Sequence, residues 1–146
     1  MSNIVIPTLK FHLNSGDRVA LKADNGLYWT RDAAHENWIT ASAATVGETS
    51  QFVVHTSENS QLSLEADTGR FAALLTVDDF QVIAAVERSV DQYSRFTITV
   101  FDDATVALRA DNGLYLSRYS YKGVETIAAV KKPIDQYCHF RIIEIE

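Results

Sequence analysis

Apolar and polar residues alternate with a period close to two along most of the chain, and short polar turns interrupt the alternation. That period puts successive side chains on opposite faces of an extended backbone, so it predicts strands. The first set of predicted strands covers 19–22, 27–30, 38–41 and 52–55. The second covers 62–65, 71–74, 82–85 and 96–99, and the third 106–109, 114–117, 126–129 and 140–143. No stretch holds helical spacing over three turns. Asp24-Asn25-Gly26 separates the first two strands, and Asn-Gly signals a hairpin because both residues tolerate positive φ.

The sets are copies of one another. Leu21-Lys22-Ala23-Asp24-Asn25-Gly26-Leu27-Tyr28 returns as Leu108-Arg109-Ala110-Asp111-Asn112-Gly113-Leu114-Tyr115, with a worn copy from Leu64 to Phe71. Ile39, Ile83 and Ile127 are spaced by 44, as are Phe52, Phe96 and Phe140. Repeats of about this length specify one supersecondary unit each. Residues 1–146 are therefore expected to form a single all-β domain, with repeats at about 17–56, 60–100 and 104–146.

Three units of four strands predict a β-trefoil: twelve strands with pseudo-threefold symmetry, as a six-stranded barrel capped by three hairpins. Closure removes exposed sheet edges. A propeller needs more units, and a sandwich gives no reason for threefold repetition. Leu21, Leu64, Leu108, the three isoleucines and the three phenylalanines are the expected core, each contributing roughly 1.5–3 kcal/mol when buried. Ala23, Ala66 and Ala110 mark close strand approach. The segment 9–13 is expected to run beside the last strand and help close the barrel.

A length of 146 residues suffices for a core without metals or disulfides. The net charge of −6 is spread along the chain, which argues against nucleic acid or an anionic membrane as partner. Cys138 is the only cysteine, so no internal disulfide forms, and a reducing, cytoplasmic location is expected. The N-terminus shows no signal-peptide pattern, so release would follow another route. No run of about 18 apolar residues predicts a membrane-inserted helix.

Leu-x-Ala-Asp-Asn-Gly-x-Tyr, the Ile-x-Ala strand and the Asp-x-x-x-x-Phe approach to the fourth strand together resemble the fascin-like β-trefoil superfamily. The resemblance runs from about 19 to 145 and recurs in each repeat. Within it, the chain looks most like mushroom β-trefoil lectins of the king bolete type. That resemblance implies a non-enzymatic protein without cofactor that binds galactose and N-acetylgalactosamine on glycans and glycoconjugates. It also implies up to three related sites per chain and a homodimer. The Gln-x-Trp box of ricin-type trefoils is absent: Ser50-Gln51-Phe52, Ser94-Arg95-Phe96 and Cys138-His139-Phe140 stand there. Ricin-type sugar ligands are therefore not carried over.

On a shared scaffold, function lies where the repeats differ at the surface. The loop between second and third strands differs most. A sugar site needs amide or carboxylate partners for hydroxyls and an apolar face for the ring. The first repeat offers His35, Asn37 and Trp38, and the second Asp78, Asp79 and Phe80. The third offers Tyr121, Lys122 and Gly123 and is the poorest of the three. The bland alternatives are solvated turns for the loops and a core position for Trp38. Asp24-Asn25-Gly26 and Asp111-Asn112-Gly113 read as turn geometry, as do Asp91-Gln92-Tyr93 and Asp135-Gln136-Tyr137 before the fourth strand.

His12, His35, His55 and His139 lack metal-ligand spacing, and no nucleophile motif is present, so neither a metal site nor catalytic residues are expected. Two other functions compete. An actin-binding module of the fascin kind normally presents basic patches, and Lys131-Lys132 is the only adjacent basic pair here. A trefoil protease inhibitor needs a long braced loop, whereas these loops are short and similar in length.

Overall fold

The computed structural model describes residues 3–6 and 11–145. Its first strands are β1 (Asn3–Ile6) and β2 (Phe11–Asn14). Repeat one contributes β3 (Arg18–Lys22), β4 (Tyr28–Asp32), β5 (Trp38–Ala43) and β6 (Phe52–Ser57). Repeat two contributes β7 (Gln61–Glu65), β8 (Phe71–Val77), β9 (Phe80–Glu87) and β10 (Phe96–Val100). Repeat three contributes β11 (Val106–Arg109), β12 (Tyr115–Tyr121), β13 (Val124–Lys131) and β14 (Arg141–Ile145).

The first and fourth strands of the repeats form a closed ring. Going round, β3 pairs with β6, β6 with β7, β7 with β10 and β10 with β11. The ring closes through a Val106–Phe140 bridge and the β14–β3 ladder. The second and third strands form hairpins β4–β5, β8–β9 and β12–β13. These hairpins meet one another at Trp38–Ala84, Ala128–Val82 and Thr126–Thr40, which makes a triangular cap. Each hairpin has an irregularity at the same place: Tyr28/Trp29, Phe71/Ala72 and Tyr115/Leu116. A bulge bends and twists a strand locally, and here it turns each hairpin from the barrel toward the cap.

The nine expected Leu, Ile and Phe core residues are all at most 2% exposed. Trp29 joins them, meeting Phe140 edge-on with centroids 4.9 Å apart. Its register equivalents are Ala72 and Leu116, so one layer is filled by a large, a small and a medium side chain. Volume is shared across the layer rather than repeated.

Two expectations need correcting. Residues 11–14 do not flank the last strand: β2 pairs with β1 and lies against β6, with Leu13 buried in the core, while Leu9 and Lys10 lie outside the described residues. The ring is already closed by β14 on β3, so no additional strand is needed there. The Asp-Asn-Gly turns also use only one residue at positive φ. Gly26 has φ 81 and donates its N–H to the Ala23 carbonyl at 3.0 Å, whereas Asn25 works through its side chain. Its carboxamide accepts from Leu27 N–H at 3.0 Å and donates to the Ala41 carbonyl at 3.2 Å, tying barrel turn to cap. Gly26→Ala meets no neighbouring atom but must hold left-handed backbone. It is expected to cost about 1–2 kcal/mol, read as a fall in thermal midpoint.

The turns before the fourth strands are structural. Asp91 and Asp135 each accept a hydrogen bond from the backbone N–H two residues on, and Asp91 completes a capping box with Ser94. Cys138 ends the third such turn fully buried, and burial pushes its thiol pKa up.

Candidate functional site

Neighbouring repeats are held together by arginine–aspartate pairs. Arg31 on β4 donates from Nε and Nη2 to the two oxygens of Asp67, at 2.6 and 2.9 Å. Arg118 on β12 grips Asp24 in the same way, at 2.7 and 2.9 Å, and also bonds Glu125. The guanidinium of Arg31 holds the Asp67 carboxyl below the usual carboxylate range, chiefly through that hydrogen bond, and the same bond raises Arg31. Arg31 stands opposite Ile39 and Arg118 opposite Ile127, and the residue opposite Ile83 is Leu74. Among the described residues, the boundary between repeats two and three therefore has no such arginine, and Asp111 receives only a 3.3 Å side-chain bond from Gln92.

Three clefts lie in the cap, one at each boundary. Each is walled by the hairpin tip of one repeat and by the barrel turn and third strand of another. Asn37, Thr68, Arg70, Ala85 and Val86 line the cleft between repeats one and two. Between repeats two and three stand Asp79, Phe80, Gln81, Asn112 and Leu114, around about 420 Å³. Between repeats three and one the lining includes Asp32, His35, Gly123, Glu125 and Leu27. The carboxamides of Gln81 and Asn112 are bonded at 3.0 Å, and Asn112 also reaches the Ala129 carbonyl at 3.3 Å.

Five of the nine predicted site residues divide among these clefts rather than forming one site per repeat. Asn37 faces one cleft, Asp79 and Phe80 a second, and His35 and Gly123 the third. The other four are Tyr121 and the three residues that gather around it. Tyr121 lies 6.2 Å from Trp38 and 4.8 Å from Phe80, centroid to centroid. Its hydroxyl donates to Asp78, and Lys122 sits over its ring at 5.2 Å. Trp38 opens β5 half-buried, 6.1 Å from His35. The loops left between the predicted strands 71–74 and 82–85, and between 114–117 and 126–129, are shorter than foreseen. β8 and β9 are joined by Asp78-Asp79 alone, and β12 and β13 by Lys122-Gly123 alone. Positive φ at Asp78, Lys122 and Gly123 allows these tight turns, so the strands run on and carry Phe80 and Tyr121.

Sequence reasoning missed Asn112, Thr68 and Arg31, because each reads locally as a turn former or a solvated strand residue. A signal was present for the arginines: Arg31 and Arg118 occupy matching positions of repeats one and three, and an aspartate stands in every turn. Among the described residues, no group of three His, Cys, Asp or Glu is placed to hold a metal ion.

No protein-family model and no curated sequence matches the chain. Solved structures do. The chain resembles the BEL beta-trefoil with a TM-score of 0.73 at 9% identity, over 90% of this chain and 94% of that one. The fold is a β-trefoil. ThreeFoil, a designed threefold-symmetric protein, superposes with a TM-score of 0.74 at 12% identity, covering 88% of this trefoil and 99% of the design. The Polyporus squamosus lectin, solved with Neu5Aca2-6Galb1-4GlcNAc, gives 0.74 at 8% identity over 90% of this trefoil and 50% of that chain. A mosquitocidal holotoxin gives 0.77 at 9% identity over 90% of this trefoil, which spans only 17% of its length.

The cleft between repeats two and three has the fullest chemistry in the trefoil cap. Asp79 supplies a carboxylate acceptor, Gln81 supplies an amide donor from a carboxamide that Asn112 holds in place, and Phe80 with Leu114 supplies an apolar wall. The cleft between repeats one and two lacks both aromatic ring and carboxylate. The third has carboxylates, but Asp32 is engaged by His35 at 2.9 Å and Glu125 by Arg118.

Proposed function

We propose that this trefoil binds carbohydrate without catalysis, with galactose and N-acetylgalactosamine as the sugars. The observation that carries the reading is the convergence of Asp79, Phe80, Gln81 and Asn112 on one cleft at the boundary of repeats two and three. A carboxylate that accepts from two vicinal hydroxyls, with an amide donor beside it, orients a sugar edge. An aromatic ring takes the opposing C–H face, and galactose offers such a face because its axial 4-hydroxyl leaves one side apolar.

The site is open and a monosaccharide makes few contacts, so dissociation constants in the range of about 1 mM are expected. Useful avidity then requires several sites, from the other clefts or from a homodimer.

A glycan array on the full chain, followed by titration with methyl β-galactoside, tests the proposal. Binding to terminal galactosides is expected, with Asp79→Ala and Phe80→Ala each weakening it by about tenfold or more. Silence towards galactose, N-acetylgalactosamine and their disaccharides removes the reading.

A further inference from the structure

The hairpin carrying Asn112 has a second cleft on its other side, on the barrel wall. It encloses about 400 Å³ and is lined by Gln61, Gln92, Arg95, Thr97, Arg109 and Asp111, with the turn backbone. The sheet register explains the arrangement. Gln61 on β7 stands beside Thr97 on β10, which stands beside Arg109 on β11, so the three side chains form one outward row. Arg95, two residues before Thr97, shares that face. Their neighbours Leu62, Phe96, Ile98 and Leu108 point into the core.

The equivalent cleft between repeats one and two is lined by Arg18, Glu48, Gln51, Val53, Glu65 and Asp67. It is acidic, and its Asp67 is already gripped by Arg31. Between repeats three and one, Arg118 spans Asp24 and also lies 5.0 Å over the Tyr137 ring, which Lys131 approaches at 5.7 Å. At the boundary of repeats two and three, every corresponding internal partner is missing. Leu74 replaces Arg118, and Glu87 replaces Lys131. Tyr93, the counterpart of Tyr137, is left 45% exposed. Among the described residues, the side chains of Arg95 and Arg109 take part in no ion pair or hydrogen bond.

We propose that this cleft binds a carboxylate-bearing sugar, with Arg95 and Arg109 taking the carboxylate while Gln61, Thr97, Gln92 and Asp111 take hydroxyls. Two guanidinium groups lining one cleft suit a carboxylate, which accepts hydrogen bonds at both of its oxygens. The surrounding amides, hydroxyl and aspartate suit a polyol rather than a bare anion. Tyr93, exposed and next in the chain to Gln92, offers a ring for the apolar face. The inference shares the carbohydrate reading of the cap but uses different residues, so the two stand or fall separately.

The full chain is titrated with methyl α-N-acetylneuraminate and methyl β-glucuronide, with the methyl ester of each, and with methyl β-galactoside, by amide NMR shifts. At least one acid sugar is expected to bind, its ester about tenfold more weakly, with affinity falling as salt is added. Arg95→Gln and Arg109→Gln should each lower acid-sugar affinity by about tenfold. Thr97→Val should do the same, by removing the hydroxyl placed between Gln61 and Arg109. None of the three should alter methyl β-galactoside binding, whereas Asp79→Ala should affect the galactoside alone. Absence of acid-sugar binding, equal binding of acid and ester, or indifference to all three substitutions would overturn the proposal. Loss of galactoside binding by itself would count only against the cap site.

Discussion

Phe140→Ala is expected to lower the unfolding free energy by about 3–5 kcal/mol, the usual range for deleting a buried aromatic ring. Phe52, Phe96 and Phe140 are completely buried at matching positions: Phe52 and Phe96 open β6 and β10, and Phe140 stands immediately before β14. Removing one leaves a cavity that the closed ring cannot collapse, because β14 is held by β3 on one side and by the Val106 bridge on the other. Phe140 also makes the edge-on contact with Trp29, so its loss should exceed that of Phe96→Ala by roughly 0.5–1.5 kcal/mol. Urea unfolding checks both: the midpoint should fall while the slope stays constant. A shift below about 1 kcal/mol in both variants would mean that these rings do not fill a shared, rigid core.

Arg31→Ala is expected to cost about 1.5–3 kcal/mol at neutral pH, the range for a hydrogen bond to a charged group. An exposed ion pair would be worth less, but Arg31 and Asp67 side chains are only 13% and 15% exposed, and the pairing is bidentate. Arg31 also donates to Asn37 at 2.9 Å, so its loss loosens a cap cleft as well as the boundary. The pH dependence has a definite sign. Asp67 has a folded pKa below its unfolded value, so its contribution is complete above the unfolded value, near pH 3.9. It disappears as pH falls through the folded value. The gap between wild type and variant should therefore be constant from about pH 5 to 8 and close in stronger acid. Measuring stability against pH in both proteins tests this, and a gap that persists at pH 2 would show that Arg31 acts through packing instead.

The two clefts at the boundary of repeats two and three suggest how repetition and function coexist in this trefoil. Elsewhere an arginine from one repeat closes on an aspartate of another. At this boundary Leu74 leaves Asp111 and Tyr93 without those partners; Asp111 keeps a 3.3 Å bond from Gln92, and Arg95 and Arg109 face outward.

The residues by themselves determined the strands, the threefold repetition, the closed architecture and the core. Strand alternation is local, and the 44-residue spacing of Ile39, Ile83 and Ile127 marks equivalent places without knowledge of contacts. Shared core positions follow because equivalent strands must fill equivalent layers. The second and third strands of each repeat were read too short, because Asp78-Asp79 and Lys122-Gly123 look like parts of longer polar loops until pairing extends on both sides of them. Which surface residues share a cleft was decided only by tertiary structure. Gln81 meets Asn112 across 31 positions, and Arg118 meets Asp24 across 94. Those meetings join different repeats, and no period within a repeat encodes them. Ring closure and the three cap pairings set the distances, which is why candidates assigned one loop at a time separated into clefts at the boundaries.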